Sequence, residues 1–309
     1  MTPLPAKDHG DPNRPSEIGF RMHSSNTTIV AALALAMASG TSALAASAAQ
    51  PGQTLGLPTG AQLPIGLILL DTSSFGIRDT APNRTENNIN LPGLVWVPGV
   101  HLFGGRLHMI FIQPVVATRP AAGGRYQSGI GVPLVAAQLA WKIGPDFSVS
   151  YLLGGYLPVD TQFVINQGSL QQRFAATYNG DGWNLTGNLL YGTYFDATNK
   201  QGAFYPDFLN LDVTATKKFG KWELGPVAFG STDLPTNRPG YRHQGQIAVG
   251  GLVGYNFGDY FIQGFVTRDV VERNYGGYDT RAWLRGVFFL YKQTEPGGPM
   301  GGLLARNQP

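Results

Sequence analysis

From residue 50 to residue 292, apolar and polar residues alternate with a period of two, and helical apolar spacing never persists over three turns. In the stretch WNLTGNLLYGTYF, Trp183, Leu185, Gly187, Leu189 and Tyr191 fall on one face and Asn184, Thr186 and Asn188 on the other. The same pattern sets Leu209, Leu211, Val213 and Ala215 against Asn210, Asp212, Thr214 and Thr216. It returns in Ala282, Leu284, Gly286, Phe288 and Leu290 against Arg281, Trp283 and Arg285. Such a chain folds as β-strands with one apolar face each, which leaves a sandwich or a barrel.

The connections separate these two. Strands are expected near 62–70, 93–103, 106–117, 132–143, 146–157, 169–179, 182–195, 207–219, 221–231, 244–257, 259–270 and 280–292. The short connections are Gly104-Gly105, Gly144-Pro145, Gly180-Asp181, Gly220 and Gly258, all suited to tight hairpins. The long ones, near 71–92, 118–131, 158–168, 196–206, 232–243 and 271–279, hold most of the Pro, Asn, Asp and Gly. Strict alternation of short and long connections characterises transmembrane barrels with tight periplasmic turns and longer external loops. The expected fold is therefore all-β: a transmembrane antiparallel up-and-down β-barrel of about twelve strands, within a range of about ten to fourteen, with both termini periplasmic.

Composition agrees. Charged residues make up only 13% of the 309, against the roughly one quarter usual in soluble domains, and no apolar run is long enough for a spanning helix. Aromatics near strand ends, among them Trp183, Phe219, Trp222, Tyr255, Tyr260 and Tyr291, sit where interfacial girdles would be, although β-propensity alone also favours them. A net charge of +3 from scattered Lys and Arg offers no nucleic-acid footprint, and the absence of cysteine excludes thiol chemistry and disulfides.

Ahead of the barrel lie a polar extension and a ten-residue apolar run, Ile29 to Ala38. Two A-x-A signatures follow, Ala43-Leu44-Ala45 and Ala46-Ser47-Ala48, so residues 1–49 read as an extension with a cleavable signal peptide. The start codon, Met1 or Met22, is left open, and the mature chain begins between Ala46 and Gln50. Residues 50–292 form the barrel and residues 293–309 a C-terminal tail.

The segments LVWVPGVHLFGGR (Leu94 to Arg106), SGIGVPLV, WKIGPDFSVSYLLGGYLPVD (Trp141 to Asp160), FLNLDVTATKKFGKWELG and GLVGYNFGDY occur in order along the mature chain. Together they resemble the outer-membrane transporter family of the meta-pathway of phenol degradation, a MetA-like group that includes sphingosine-induced porin-like proteins. The resemblance implies a Gram-negative outer-membrane barrel for uptake of hydrophobic or aromatic compounds, and it brings no catalytic motif.

Alternation places Arg106, Lys142, Arg173, Asp212, Asp269 and Arg285 toward the lumen, because a cation facing lipid costs about 2–4 kcal/mol at the midplane. The basic members could contact anionic or polar-aromatic solutes, or pair with Asp212 and Asp269 to brace the wall. Phe261, Phe265 and Trp283 also fall inward and could form an aromatic slide, unless a bulge near Gly264 or Gly286 turns them to lipid.

The function expected is passive uptake of small hydrophobic or phenol-like compounds, without cofactor, metal or enzymatic activity. Expected partners are outer-membrane lipid, the solutes and the barrel-assembly machinery, and no nucleic acid. The alternatives are a non-conducting structural or surface-binding barrel and, third, a barrel-embedded lipid hydrolase using a pair such as Ser148 and His108. Gated uptake requires residues 50–61 to turn into the lumen; a plugged lumen without an aromatic path favours the structural reading.

Overall fold

In hydrocarbon each unpaired backbone amide or carbonyl costs several kcal/mol, so strands can cross a membrane only if the sheet closes on itself. The computed structural model describes residues 47–120, 124–159, 167–198 and 204–293, and in it the sheet closes. Its first segments are β1 (Gly66–Arg78), β2 (Thr85–Asn90), β3 (Gly93–Val97), β4 (His101–Leu102), β5 (Gly105–Ile112), β6 (Val115–Arg119), β7 (Gln127–Ile130) and β8 (Leu134–Lys142). Next come β9 (Phe147–Tyr156), β10 (Ser169–Tyr178), β11 (Trp183–Tyr194) and β12 (Phe208–Phe219). The last four are β13 (Trp222–Asp233), β14 (Gly245–Asn256), β15 (Tyr260–Arg273) and β16 (Asp279–Lys292).

Several segments share one wall position. β2 and β3 pair with successive halves of β1, β5 and β6 form the next position, and β7 and β8 the one after, so the wall has twelve antiparallel strands. The ladder between β1 and β16, from Gly66 opposite Lys292 to Arg78 opposite Asp279, closes the barrel.

The short connections collect at one end, with Gly66 and Lys292, and the long ones at the other. Gly220, between β12 and β13, has φ +63°, a conformation available to glycine without a Cβ penalty.

Several expected boundaries need correction, among them the long loop near 118–131, which contains β7 paired with β6. The first strand runs to Arg78 instead of ending near residue 70, and the second begins at Thr85 instead of near 93. The supposed loop 71–92 is mostly ladder, with Ser73 opposite Asn90 and Arg78 opposite Thr85. Its composition misled: Asp71 to Ser74 and Thr85 to Asn90 are polar, yet backbone pairing there is complete.

The outward face is apolar over most of the circumference, with Trp96, Val135, Leu153, Leu189, Leu211, Val249, Val266 and Leu284 all exposed. Unpaired in water, such a belt would be a large exposed patch; against acyl chains it is the fold's stabilising contact.

At one height three neighbouring wall positions are interrupted: between β2 and β3 at Pro92, between β5 and β6 at Pro114, and between β7 and β8 at Pro133. Proline cannot donate to a ladder, so each interruption lets the upper piece diverge. β8 pairs with β9, whereas β7 pairs with β6 and, among the described residues, has no ladder partner on its other edge. Among the described residues the wall therefore has a seam in its long-loop half between β7 and the end of β9.

Candidate functional site

The chain before β1 does not lie outside the wall. Residues 47–65 thread the lumen from the short-turn end, where Leu63 meets β5, to the long-loop end, where Ser47 meets β12. Three-residue turns, with amides of Gln53, Leu55 and Leu57 donating to carbonyls of Gln50, Gly52 and Thr54, compact its upper part. Gly52 and Gly56 have φ of +83° and +80°, and a Cβ at either would overlap Phe229 or Leu252. At Gly60 a Cβ would lie 2.8 Å from the Thr177 amide nitrogen. This four-residue glycine spacing is the sequence signal for the threading, and neither strand nor helix periodicity reveals it.

Two ionic side chains grip the segment from different strands. Asp212 on β12 accepts from the Gly52 amide (2.9 Å), the Thr54 amide (3.0 Å) and the Thr54 hydroxyl (2.6 Å). Arg285 on β16 donates to the carbonyls of Leu55 and Gln53, the latter at 2.6 Å, and also to Gln263 and Thr72. Neutral wall groups and Arg106 complete the grip. Thr214 accepts from the Gly56 amide (2.8 Å), Asn184 and Gln263 donate to the Gly56 carbonyl, and Thr177 accepts from the Gly60 amide (3.0 Å). Ser150 and Gln138 donate to the Thr59 carbonyl and Arg106 to that of Leu63. A segment this fully paired costs little to bury in a low-dielectric lumen.

Apolar contacts reinforce it. Leu55 packs with Val227, Phe229, Ala248, Leu252, Phe265 and Trp283. Phe265 and Trp283 stack at 5.2 Å and 14°, and the Trp283 indole donates to Thr267 at 3.0 Å. Near the long-loop end Ala49 packs with Leu134, Ala136, Leu152, Tyr156, Leu190 and Phe208. Leu134 and Tyr156 flank the base of the wall seam.

All nine residues singled out in the sequence lie on lumen-facing positions, but they do different things. Arg106, Asp212 and Arg285 hold the segment. Arg173 donates to Gln138 at 2.6 Å, and Lys142 is exposed at the short-turn end. Asp269 accepts from the Asp279 amide and pairs with Arg78 at 3.5 Å, a partner that sequence reading placed in a loop. Phe261 packs with Ile68, Val95, Val97 and Val287, and Phe265 and Trp283 pack on Leu55. The ladder from β15 to β16 is continuous through Gly264 and Gly286; the irregularities fall at Leu67/Ile68 and Ile247/Ala248. Both His108 ring nitrogens are engaged, by Leu63 and Gln138, leaving neither to activate Ser148.

The long-loop end also carries tyrosines that sequence reading did not single out. Tyr194 packs with Tyr205 at 5.0 Å and Phe208 at 5.9 Å, beside buried Tyr156. In the loops, burial and a hydrogen bond to Asp233 hold the Tyr241 hydroxyl well above its ordinary pKa. Burial pushes Tyr275 up to about 12, so both remain neutral donors near pH 7.

The sequence matches the model of the family described as "Putative MetA-pathway of phenol degradation" over residues 41–286. The chain belongs to this family. Among solved structures it is similar to the COG4313 outer membrane channel from Pseudomonas putida F1, with TM-score 0.62 and 16% identity over 78% of this chain and 99% of that one. A Pseudomonas aeruginosa FadL homologue gives TM-score 0.40 and 8% identity over 73% and 90% of the two chains. The transport unit of the autotransporter AIDA-I from Escherichia coli gives 0.45 and 11% over 84% and 98%. No curated protein matches the chain. The first of these likenesses establishes the fold, a barrel of the outer-membrane kind.

Proposed function

We propose that this member of the family is a passive outer-membrane channel for small hydrophobic or aromatic compounds, with residues 47–65 as its gate. The observation that carries the reading is the pairing of a filled axial lumen with a seam in the wall beside an apolar lumen cluster. A solute entering at the long-loop end, taken as external, meets Tyr156, Leu190 and Phe208 and has a sideways route past Leu134 into the bilayer. The axial route is occupied by hydrogen-bonded peptide, which disfavours free passage of hydrated sugars. Arg106, Asp212 and Arg285 act on solute only when the segment moves, and the same holds for Phe265 and Trp283.

Vesicles carrying the refolded protein supply the test. Phenol-like and short fatty-acid solutes should enter at least about tenfold faster than a sugar of similar size, the margin that a 1.4 kcal/mol difference in barrier produces. Equal rates would contradict the reading, and no rate above empty vesicles would favour a structural barrel.

The threading also bears on processing. Ser47 accepts from Asn210 at 2.8 Å and donates to the Ala49 carbonyl at 2.6 Å, while Ala49 is fully buried in the apolar cluster. Cleavage after Ala48 would put an ammonium group inside that cluster, an unpaired buried charge costing several kcal/mol. Cleavage after Ala45 keeps these contacts. N-terminal sequencing of protein from outer membranes should therefore read Ala46-Ser47-Ala48; a start at Ala49 would contradict this placement.

A further inference from the structure

On the side of the lumen away from the seam, a small cavity lies between the segment's upper end and the wall. Gln50 and Pro51 cover it, and Gly76, Arg78, Thr85, Asn87, Gln246, Tyr275, Asp279 and Arg281 line it. Four of these wall residues carry a buried polar atom without a hydrogen-bond partner: Thr85 Oγ1, Asn87 Oδ1, Tyr275 Oη and Asp279 Oδ1. Tyr275 and Asp279 are themselves 3% and 6% exposed, and Ser231 approaches the Tyr275 hydroxyl without completing a bond. Buried polar groups in native proteins are nearly always paired, so four orphans on one cavity mark a place where a polar partner is missing.

Both guanidinium groups that line it are already paired. Arg281 donates twice to Asp279 Oδ2, at 3.0 and 2.8 Å, and also to Ser74 and the Asn87 carbonyl. Arg78 pairs with Asp269 at 3.5 Å and Asp279 at 3.8 Å, and donates to Gln246 and the Gly277 carbonyl. With both guanidinium groups already paired to Asp269 and Asp279, a charged ligand would bring an uncompensated charge into a desolvated site. The orphans ask instead for both directions of hydrogen bond. Asp279 Oδ1 and Asn87 Oδ1 need a donor, while the Tyr275 and Thr85 hydroxyls can donate to an acceptor. A hydroxyl group is the simplest neutral function that does both, and the Tyr275 ring supplies apolar surface for the rest of a small molecule.

We propose that this cavity, enlarged when Gln50 and Pro51 lift, is a binding site for small neutral compounds that carry a hydroxyl group. The site deepens the uptake reading, since it rests on solutes reaching the long-loop end of the lumen. It also gives the closed segment a reason to open: covering the cavity leaves the four orphans unpaired, and an entering hydroxyl pairs up to three of them, donating to one of the two acceptor oxygens and accepting from the Tyr275 and Thr85 hydroxyls.

Equilibrium binding to the full barrel in detergent tests this without any flux, so it can succeed or fail independently of the uptake reading. Phenol and cyclohexanol should bind, toluene at least about tenfold more weakly, and benzoate no better than toluene. Tyr275→Phe, which removes one hydroxyl, should weaken phenol binding about tenfold and leave toluene unchanged. Gln50→Ala with Pro51→Ala should tighten phenol binding, because the cover becomes easier to lift. The heat-induced mobility shift of the folded barrel on gels would confirm that both variants fold. Equal binding of phenol and toluene would overturn the proposal in favour of apolar partitioning. Preferential binding of benzoate would overturn it in favour of an arginine-led anion site. No binding of any probe would overturn it too, leaving a cavity that holds water only.

Discussion

Deleting Gln50 to Gly60 is expected to raise the single-channel conductance of the barrel by about tenfold or more, because an unobstructed twelve-stranded lumen is wide enough for a hydrated pore. The wall does not need the segment. Its ladder closes through β1 and β16 from Gly66 upward, beyond the deleted stretch. The surface uncovered is wettable, with Asp212, Thr214, Thr177, Asn184 and Asn188 all facing inward and all now without their peptide partners. Water and ions would replace those partners. Bilayer recordings of the deletion beside the full chain measure the effect, and an unchanged conductance would mean that the obstruction lies elsewhere.

Arg285→Met is expected to give the largest loss of stability of any single substitution in the lumen. Arg285 is completely buried, and its guanidinium satisfies two segment carbonyls, Gln263 and Thr72 at once. Methionine fills similar space and pairs with none of them. Removing one side of a buried charged network costs about 3–5 kcal/mol, because Asp212 then lacks its nearby positive charge as well as the carbonyls lacking donors. Reversible urea unfolding in lipid vesicles reads this as a lowered midpoint. Arg285→Lys should recover only part of it, since an ammonium cannot span the same fork of acceptors. Lys142→Met, at the exposed short-turn end, serves as the comparison and should shift the midpoint little. The Arg285 variant should also open more often in recordings, which separates loosening of the segment from weakening of the wall.

The strand faces were legible because lipid imposes a period. Asn184, Thr186 and Asn188 could point only inward once Leu185 and Leu189 pointed out, and Asp212 and Arg285 followed from the same rule. The upper halves of β1 and β2 were not legible. Backbone pairing there ignores side-chain polarity, and Asp71 to Ser74 look like loop residues whether or not a ladder holds them. The segment in the lumen was visible only as a possibility. Its partners are far away in sequence, Asp212 standing 158 residues from Thr54, so no local pattern records the contact. What it does record is a need for absent side chains, at Gly52, Gly56 and Gly60. The aromatic trio faces inward, and its role was not readable, because Phe265 and Trp283 pack on Leu55 of a segment with no periodicity of its own.

The most direct test of the gate is a reversible lock. The chain contains no cysteine, so Thr54→Cys with Asn188→Cys introduces a unique pair at side chains that touch, Asn188 donating to Thr54 at 2.8 Å. Solute uptake would be measured in vesicles carrying the oxidised variant and again after reduction. With the segment as gate, the oxidised protein passes phenol at the rate of empty vesicles and reduction restores the rate of the unmodified barrel. Full uptake by the oxidised, cross-linked protein would contradict it.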